Sequence, residues 1–109
     1  MDLDKQLKEN NNFESLRDKI ISWGEEREII FPENANKQLL KSFSEMGELS
    51  DALLKNDIPE IIDGLGDVLV TLIILSANLN LDLVDCLESA YSEIKDRKGV
   101  TVNGTFVKE

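Results

Sequence analysis

Glu45 and Glu48 stand three residues apart, and Asp63 and Asp67 four apart, in stretches whose apolar residues recur at helical spacing. Such spacings put both members of a pair on one face of a helix. Lys41 and Ala52 continue the face of the first pair, and Glu60 extends that of the second. Phe43, Met46, Leu49 and Leu53 are expected to lie away from the acids, toward the core. Two acidic stripes on adjacent antiparallel helices repel one another, and a hard divalent cation held by oxygen resolves the conflict. The plainer reading is that the acids coat solvated helix faces. Glu60 suits that reading, because the dipole favours an acid in a first helical turn. Asp67 does not. It lies several turns into the most apolar helix, beside Val68, Leu69 and Val70, where an unpaired carboxylate is costly and local propensity is poor.

Gly47 separates the two glutamates, and Gly64 and Gly66 lie between the two aspartates. Each costs about 1 kcal/mol relative to alanine inside a helix. Close helix packing is one account of them, and room for a metal and phosphate beside the carboxylates is the other. Both place a tight helix crossing at the acids.

The elements that must position these residues follow from the same patterning. Residues 1–12 form a polar lead-in. Phe13, Leu16, Ile20 and Trp23 mark a first helix, running to about Arg27. Ile29 to Pro32 is an extended link, since a residue before proline avoids the helical region. Asn34 or Asn36 caps a second helix, which ends near Lys55–Asp57. A third starts around Pro59 and runs through Asn78. Asp82 caps a fourth, bearing Leu83, Leu87, Ala90, Tyr91 and Ile94 and stopping at Gly99. Val100, Val102, Phe106 and Val107 flank Asn103-Gly104, a two-residue hairpin signal. So short a hairpin needs support from the helices or from a second subunit. The expected fold is all-α: a four-helix-type bundle over 13–99 with a short β-hairpin tail at 100–109, assembled as an oligomer.

Bulk properties narrow the function classes. A chain of 109 residues with 41% hydrophobic content holds one domain with a core. Its net charge of -10, without a basic block, argues against a nucleic-acid partner. The absence of histidine removes the usual triads and makes a zinc site unexpected. Cys86 is the one cysteine, so no intrachain disulfide forms and a reducing cytoplasm is the natural compartment. The opening MDLDKQLKENNN lacks the apolar stretch of a secretory signal. The run Val68–Leu75 is far shorter than the ~20 residues that span a bilayer, so no membrane role is expected.

Glu-Met-Gly-Glu-Leu at 45–49, followed by Asp-Gly-Leu-Gly-Asp-Val-Leu-Val at 63–70, resembles the MazG-like branch of the all-α nucleoside triphosphate pyrophosphatases. That family's signature is an E-x-x-E pair, then a second acidic pair ending in Asp before an apolar run. Trp23 with Arg27, Gln38-Leu39-Leu40-Lys41, and AYSEIKDRKG with NGTFVKE extend the likeness to the short, single-domain, phage-type members. It covers about residue 20 to the end. The chain departs from the pattern at Ser44, where many members carry a further Glu, and at Gly64, where the second pair would have its Glu if Asp67 is its Asp. Asp63 is the substitute in that alignment, which the Gly-Asp-Val-Leu context favours. A literal Glu60-x-x-Asp63 match is the other.

The resemblance implies Mg²⁺-dependent hydrolysis of nucleoside triphosphates to monophosphate and pyrophosphate by water attack at the α-phosphate, with Mn²⁺ a possible substitute. On this reading Glu45, Glu48, Asp63 and Asp67 are the metal ligands, and Glu45 or Glu48 takes the proton of the water. Lys41, Lys95, Arg97 and Lys98 would neutralise phosphate, and Trp23 would stack on the base. Plainer roles stand beside these: an i,i+4 surface pair for Lys41, complementing of the helix dipole for the C-terminal cations, and core packing for Trp23. Trp23, Gln38 and Asn78 are candidates to line a selectivity pocket. The family implies a homodimer or homotetramer with its site near subunit contacts. Two other readings compete: a non-catalytic acidic helical protein, acting as an inhibitor or nucleic-acid mimic, and the same fold acting on an alarmone or a damaged nucleotide.

Overall fold

Asn12, Asp57 and Asp82 each convert an extended residue into a helix start. Their side-chain oxygens accept the backbone N–H of Ser15 at 2.8 Å, Glu60 at 3.3 Å and Val84 at 2.9 Å, satisfying donors that a helix leaves open at its beginning. The computed structural model describes residues 11–109, so the expected lead-in lies, apart from its last two residues, outside the described residues. Four helices follow in order: α1, Phe13–Glu26; α2, Ala35–Leu54; α3, Ile58–Asn78; and α4, Leu83–Ile94. A hairpin of β1, Gly99–Val102, and β2, Thr105–Lys108, closes the chain. Over the described residues the fold is therefore helical apart from that hairpin, and no described helix is long and apolar enough to cross a membrane.

Asn34 is not a side-chain cap. The link enters α2 through a 3₁₀ turn at Pro32–Asn34, and the Asn34 amide donates instead to the Ile29 carbonyl at 3.0 Å. The first three helices end alike, and without glycine. Glu28, Asn56 and Asn80 take left-handed φ of 58°, 58° and 57°. The next residues, Ile29, Asp57 and Leu81, donate back to Gly24, Ala52 and Ser76 at 3.0, 3.0 and 2.8 Å. This is the Schellman closure, which returns orphan carbonyls to hydrogen bonds.

The helix expected to stop at Gly99 stops at Ile94. Gly99 opens β1, where a Cβ would collide with the Val107 carbonyl and stand 2.6 Å from the Phe106 ring. Its glycine serves the approach of the two strands. Asn103 and Gly104, with φ of 50° and 79°, form the two-residue turn, which sets Val102 opposite Thr105.

α3 is the spine. α2 lies along it as the chief packing partner, while α1 and, more lightly, α4 rest on it as well. Ile73 and Ile74 are each 2% exposed and centre the core. A Cβ at Gly24 would come within 2.8 Å of Ile30 and 2.9 Å of Ile74, so α1 meets that core at close range. Buried Asn78 donates to the carbonyls of Ile29 and Phe31 at 2.9 and 3.0 Å, which fastens the α1–α2 link to the end of α3. Arg17 of α1 grips both oxygens of Asp82 at 3.0 Å and ties α1 to the start of α4.

One expectation about packing is corrected. The inward line of α2 is Ser42, Glu45, Leu49 and Ala52, whereas Phe43, Met46 and Leu53 are 62%, 51% and 64% exposed. Glu45 turns toward α3 while Glu48 stays exposed, and much of the apolar face turns outward. Leu87, Tyr91 and Ile94 of α4 are likewise exposed, and among the described residues the hairpin makes no substantial contact with the helices.

Candidate active site

The crossing of α2 and α3 is set by Gly64. A Cβ there would stand 3.2 Å from the Leu49 Cβ and 3.3 Å from its Cα, tighter than ordinary contact. Close packing therefore accounts for Gly64. Gly47 and Gly66 differ, because a Cβ at either would meet nothing within 4 Å.

Just beside this crossing lies Glu45. It is half-buried, and its Oε2 is enclosed without a hydrogen-bond partner. Burial raises the pKa of its carboxyl, and the charge of the neighbouring Glu48 carboxylate raises it further. The charge of Asp67, from α3, acts in the same direction, and that of Lys41 opposes them. Glu45, Glu48, Asp67 and Lys41 thus form one electrostatic group across the α2–α3 seam. An enclosed, unpartnered carboxylate oxygen among like charges is costly, and an oxygen-seeking cation suits such a donor set. Among the described residues, however, no three acids are gathered closely enough to cage a metal ion.

The remaining sequence candidates are dispersed. Asp63 is exposed and is not among the groups acting on Glu45; it shares with Asp67 the wall of a cavity of about 410 Å³ between α1 and α3. Glu60 is exposed in the first turn of α3 and lines, with Glu48, Asp51 and Lys55, a separate acidic depression. Lys95, Arg97 and Lys98 lie exposed between α4 and β1, and their charges are not among those acting on Glu45. Trp23 is 44% exposed rather than core, with the Arg27 guanidinium 4.4 Å above its ring. It stands on an apolar groove with Leu16, Ile20 and Val70, three residues that also line the α1–α3 cavity. Gln38 is half-buried on α2, and Asn78 is engaged by the α1–α2 link as described.

Sequence reasoning did not single out the apolar walls of that cavity, which include Phe13, Leu16 and Ile20 of α1 and Leu69, Val70 and Ile73 of α3. Their helical spacing was visible, but the same spacing marks any core stripe. The Arg17–Asp82 pair left no local signal at all, because its members are 65 residues apart.

A family model described as the MazG nucleotide pyrophosphohydrolase domain matches residues 33–100, which span α2, α3 and α4. An uncharacterized 18.2 kDa protein from the rep-hol intergenic region of Haemophilus phage HP1 is 32% identical over 73 residues. That match covers 67% of this chain and 45% of the phage protein, so the chain spans less than half of its relative. No solved structure matches the chain.

Proposed function

This chain belongs to the MazG nucleotide pyrophosphohydrolase domain family, and on that premise we propose that it hydrolyses nucleoside triphosphates between the α- and β-phosphates, releasing monophosphate and pyrophosphate. The observation that carries the proposal is the enclosed, unpartnered Glu45 oxygen facing the charges of Glu48 and Asp67. These three, with Asp63 as the fourth acid of the family pattern, are the candidates to hold Mg²⁺ or Mn²⁺, being all hard oxygen donors. They would have to draw together to do so, since the described residues gather no three acids into a cage. Such an ion, when bound, supplies Lewis-acid polarisation of the phosphoryl oxygens and a more acidic water. Half-buried Glu45 would suit a fixed ligand, and exposed Glu48 would then take the proton of the attacking water. Lys41, whose charge already reaches Glu45, balances charge on the phosphates.

The chain acts as one subunit of a homodimer or homotetramer. Apolar side chains exposed on α2, α3, α4 and the hairpin support this reading. A second copy would also supply Lys95, Arg97 and Lys98, which this chain does not bring to its own seam. A free, exposed Cys86 suits a reducing cytoplasm.

The test is incubation with a panel of ribo- and deoxynucleoside triphosphates and Mg²⁺, with products separated by ion exchange. Monophosphate and pyrophosphate are expected, with rates down roughly 100-fold or more in Glu48→Gln and Asp67→Asn. Diphosphate and orthophosphate would overturn attack at the α-phosphorus. No turnover together with no metal-induced stabilisation would leave an acidic binding protein as the better reading.

A further inference from the structure

α4 is held at one end. Asp82, Leu83 and Val84 are half-buried, whereas every residue from Asp85 to Ile94 is exposed. The helix rests lightly on α3, and its backbone scarcely approaches α1. Its direction is therefore set by what holds its first turn. The Leu81 N–H donates to the Ser76 carbonyl at 2.8 Å, with Asn80 left-handed, which closes α3 just before α4 begins. Asp82 then accepts the Val84 N–H at 2.9 Å through Oδ1, the same oxygen that Arg17 engages from α1. Arg17 Nη1 lies 3.0 Å from both Asp82 oxygens, while its Nε and Nη2 are each 3.0 Å from Asp18 Oδ1. Asp18 thus pins the guanidinium to α1, and the planar group presents Asp82 with one direction of approach. The Arg17 and Asp82 side chains are 17% and 38% exposed, and an ion pair so near water contributes little to stability. Direction is what it contributes.

Resting on the triphosphate reading, we propose that Arg17 is a positioning residue: through Asp82 it fixes the angle at which α4 leaves the helical body, and so where Lys95, Arg97 and Lys98 stand for the phosphates. These cations directly follow Ile94, the last residue of α4. The rise of an α-helix carries them about 18 Å from Asp82, so a turn of about 10° at the start of α4 moves them by about 3 Å. A displacement of that size breaks a hydrogen bond to a phosphate oxygen. The carboxylates of the seam stand on α2 and α3, so loosening α4 leaves them in place. Loss of the phosphate contacts therefore weakens substrate and transition state alike, which raises KM and spares kcat.

The experiment measures kcat and KM, with Mg²⁺, for the triphosphate that the protein turns over fastest. Asp82→Asn keeps the cap, since an asparagine oxygen also accepts the Val84 N–H, and removes the charge that Arg17 grips. KM should rise roughly tenfold with kcat within about twofold and sedimentation unchanged. Arg17→Lys, which keeps the charge without the planar fork, should raise KM less. The decisive comparison repeats Asp82→Asn in a protein carrying Lys95→Ala, Arg97→Ala and Lys98→Ala. The three alanines alone should raise KM at least as far, and Asp82→Asn should then add nothing. A structural brace would act whether or not the cations were present, so an undiminished rise in that background would overturn the proposal. So would an unchanged KM in Asp82→Asn, a matching fall in kcat, altered sedimentation, or three alanines without effect. If Asp82→Asn does not fold, Arg17→Lys makes the same comparison. If no nucleotide is hydrolysed, the pyrophosphohydrolase reading fails separately. Calorimetry with Mn²⁺ and α,β-methylene-ATP then decides: weakening by Asp82→Asn that vanishes without the three cations sustains the proposal, and equal or absent binding overturns it.

Discussion

Glu45 is where the cost of the acidic seam is concentrated, and the sign of its effect on stability can be worked out. Its folded-state pKa is raised, first by burial and then by Glu48 and Asp67, so the folded protein takes up this proton more readily than the unfolded chain does. In metal-free protein the group therefore opposes folding progressively as pH climbs from the ordinary carboxylate range through the raised value, and by a constant amount above it. Glu45→Gln removes the charge and the slope together. Metal-free Glu45→Gln should melt higher than the unaltered protein at neutral pH, and the gap should close near about pH 4, where both side chains are neutral. Mg²⁺ should reverse the order, stabilising the unaltered protein and leaving the variant unmoved. Thermal melts across pH, with and without the ion, read both effects; a Glu45→Gln protein less stable without metal would sink the account. The acids of this group were identifiable before any fold was known, because carboxylate spacing on a helix is a local property. Which way Glu45 faces was not. The apolar residues beside it implied an inward Phe43 and Met46, and those side chains point outward in the isolated chain.

At the scale of elements, local chemistry marked starts and turns better than stops. Asp82 and Asn103-Gly104 act where the sequence places them, since a cap or a type I′ turn needs only its own residues. Helix ends were obscured because the closures at Glu28, Asn56 and Asn80 dispense with glycine, while the glycine that looked like a stop, Gly99, serves the hairpin. The three left-handed positions are not equivalent. Asparagine tolerates that region, and glutamate, with a longer side chain and no local hydrogen bond to offset the strain, does so poorly. Glu28→Gly should therefore stabilise the protein by about 0.5–1 kcal/mol, and Asn56→Gly by less. Urea titrations of the two variants with unchanged slopes would establish the ranking. A destabilised Glu28→Gly protein would show that the Glu28 side chain contributes more than its backbone geometry costs.

For the whole molecule, size and exposure point the same way. The radius of gyration is 16.8 Å, against about 13 Å expected for a compact chain of this length. Phe43, Leu53, Leu54, Ile62 and Tyr91 are each more than 60% exposed, and a soluble monomer rarely leaves so much apolar surface in water. Among the described residues the buried apolar core of one chain is small, Ala52, Ile73 and Ile74, and a protein whose core is completed by another copy has a stability tied to its own concentration. The melting temperature should accordingly rise by several degrees between low and high micromolar protein, in step with a sedimentation coefficient larger than that of one subunit. Phe43→Asp combined with Leu53→Asp removes outward apolar contacts without disturbing the α2–α3 seam, so it should abolish the concentration dependence and lower the melting temperature to a single value. A concentration-independent melt of the unaltered protein, sedimenting as one subunit at micromolar concentration, would show that this open arrangement of helices is stable alone. The outward apolar faces would then require a partner other than a second copy.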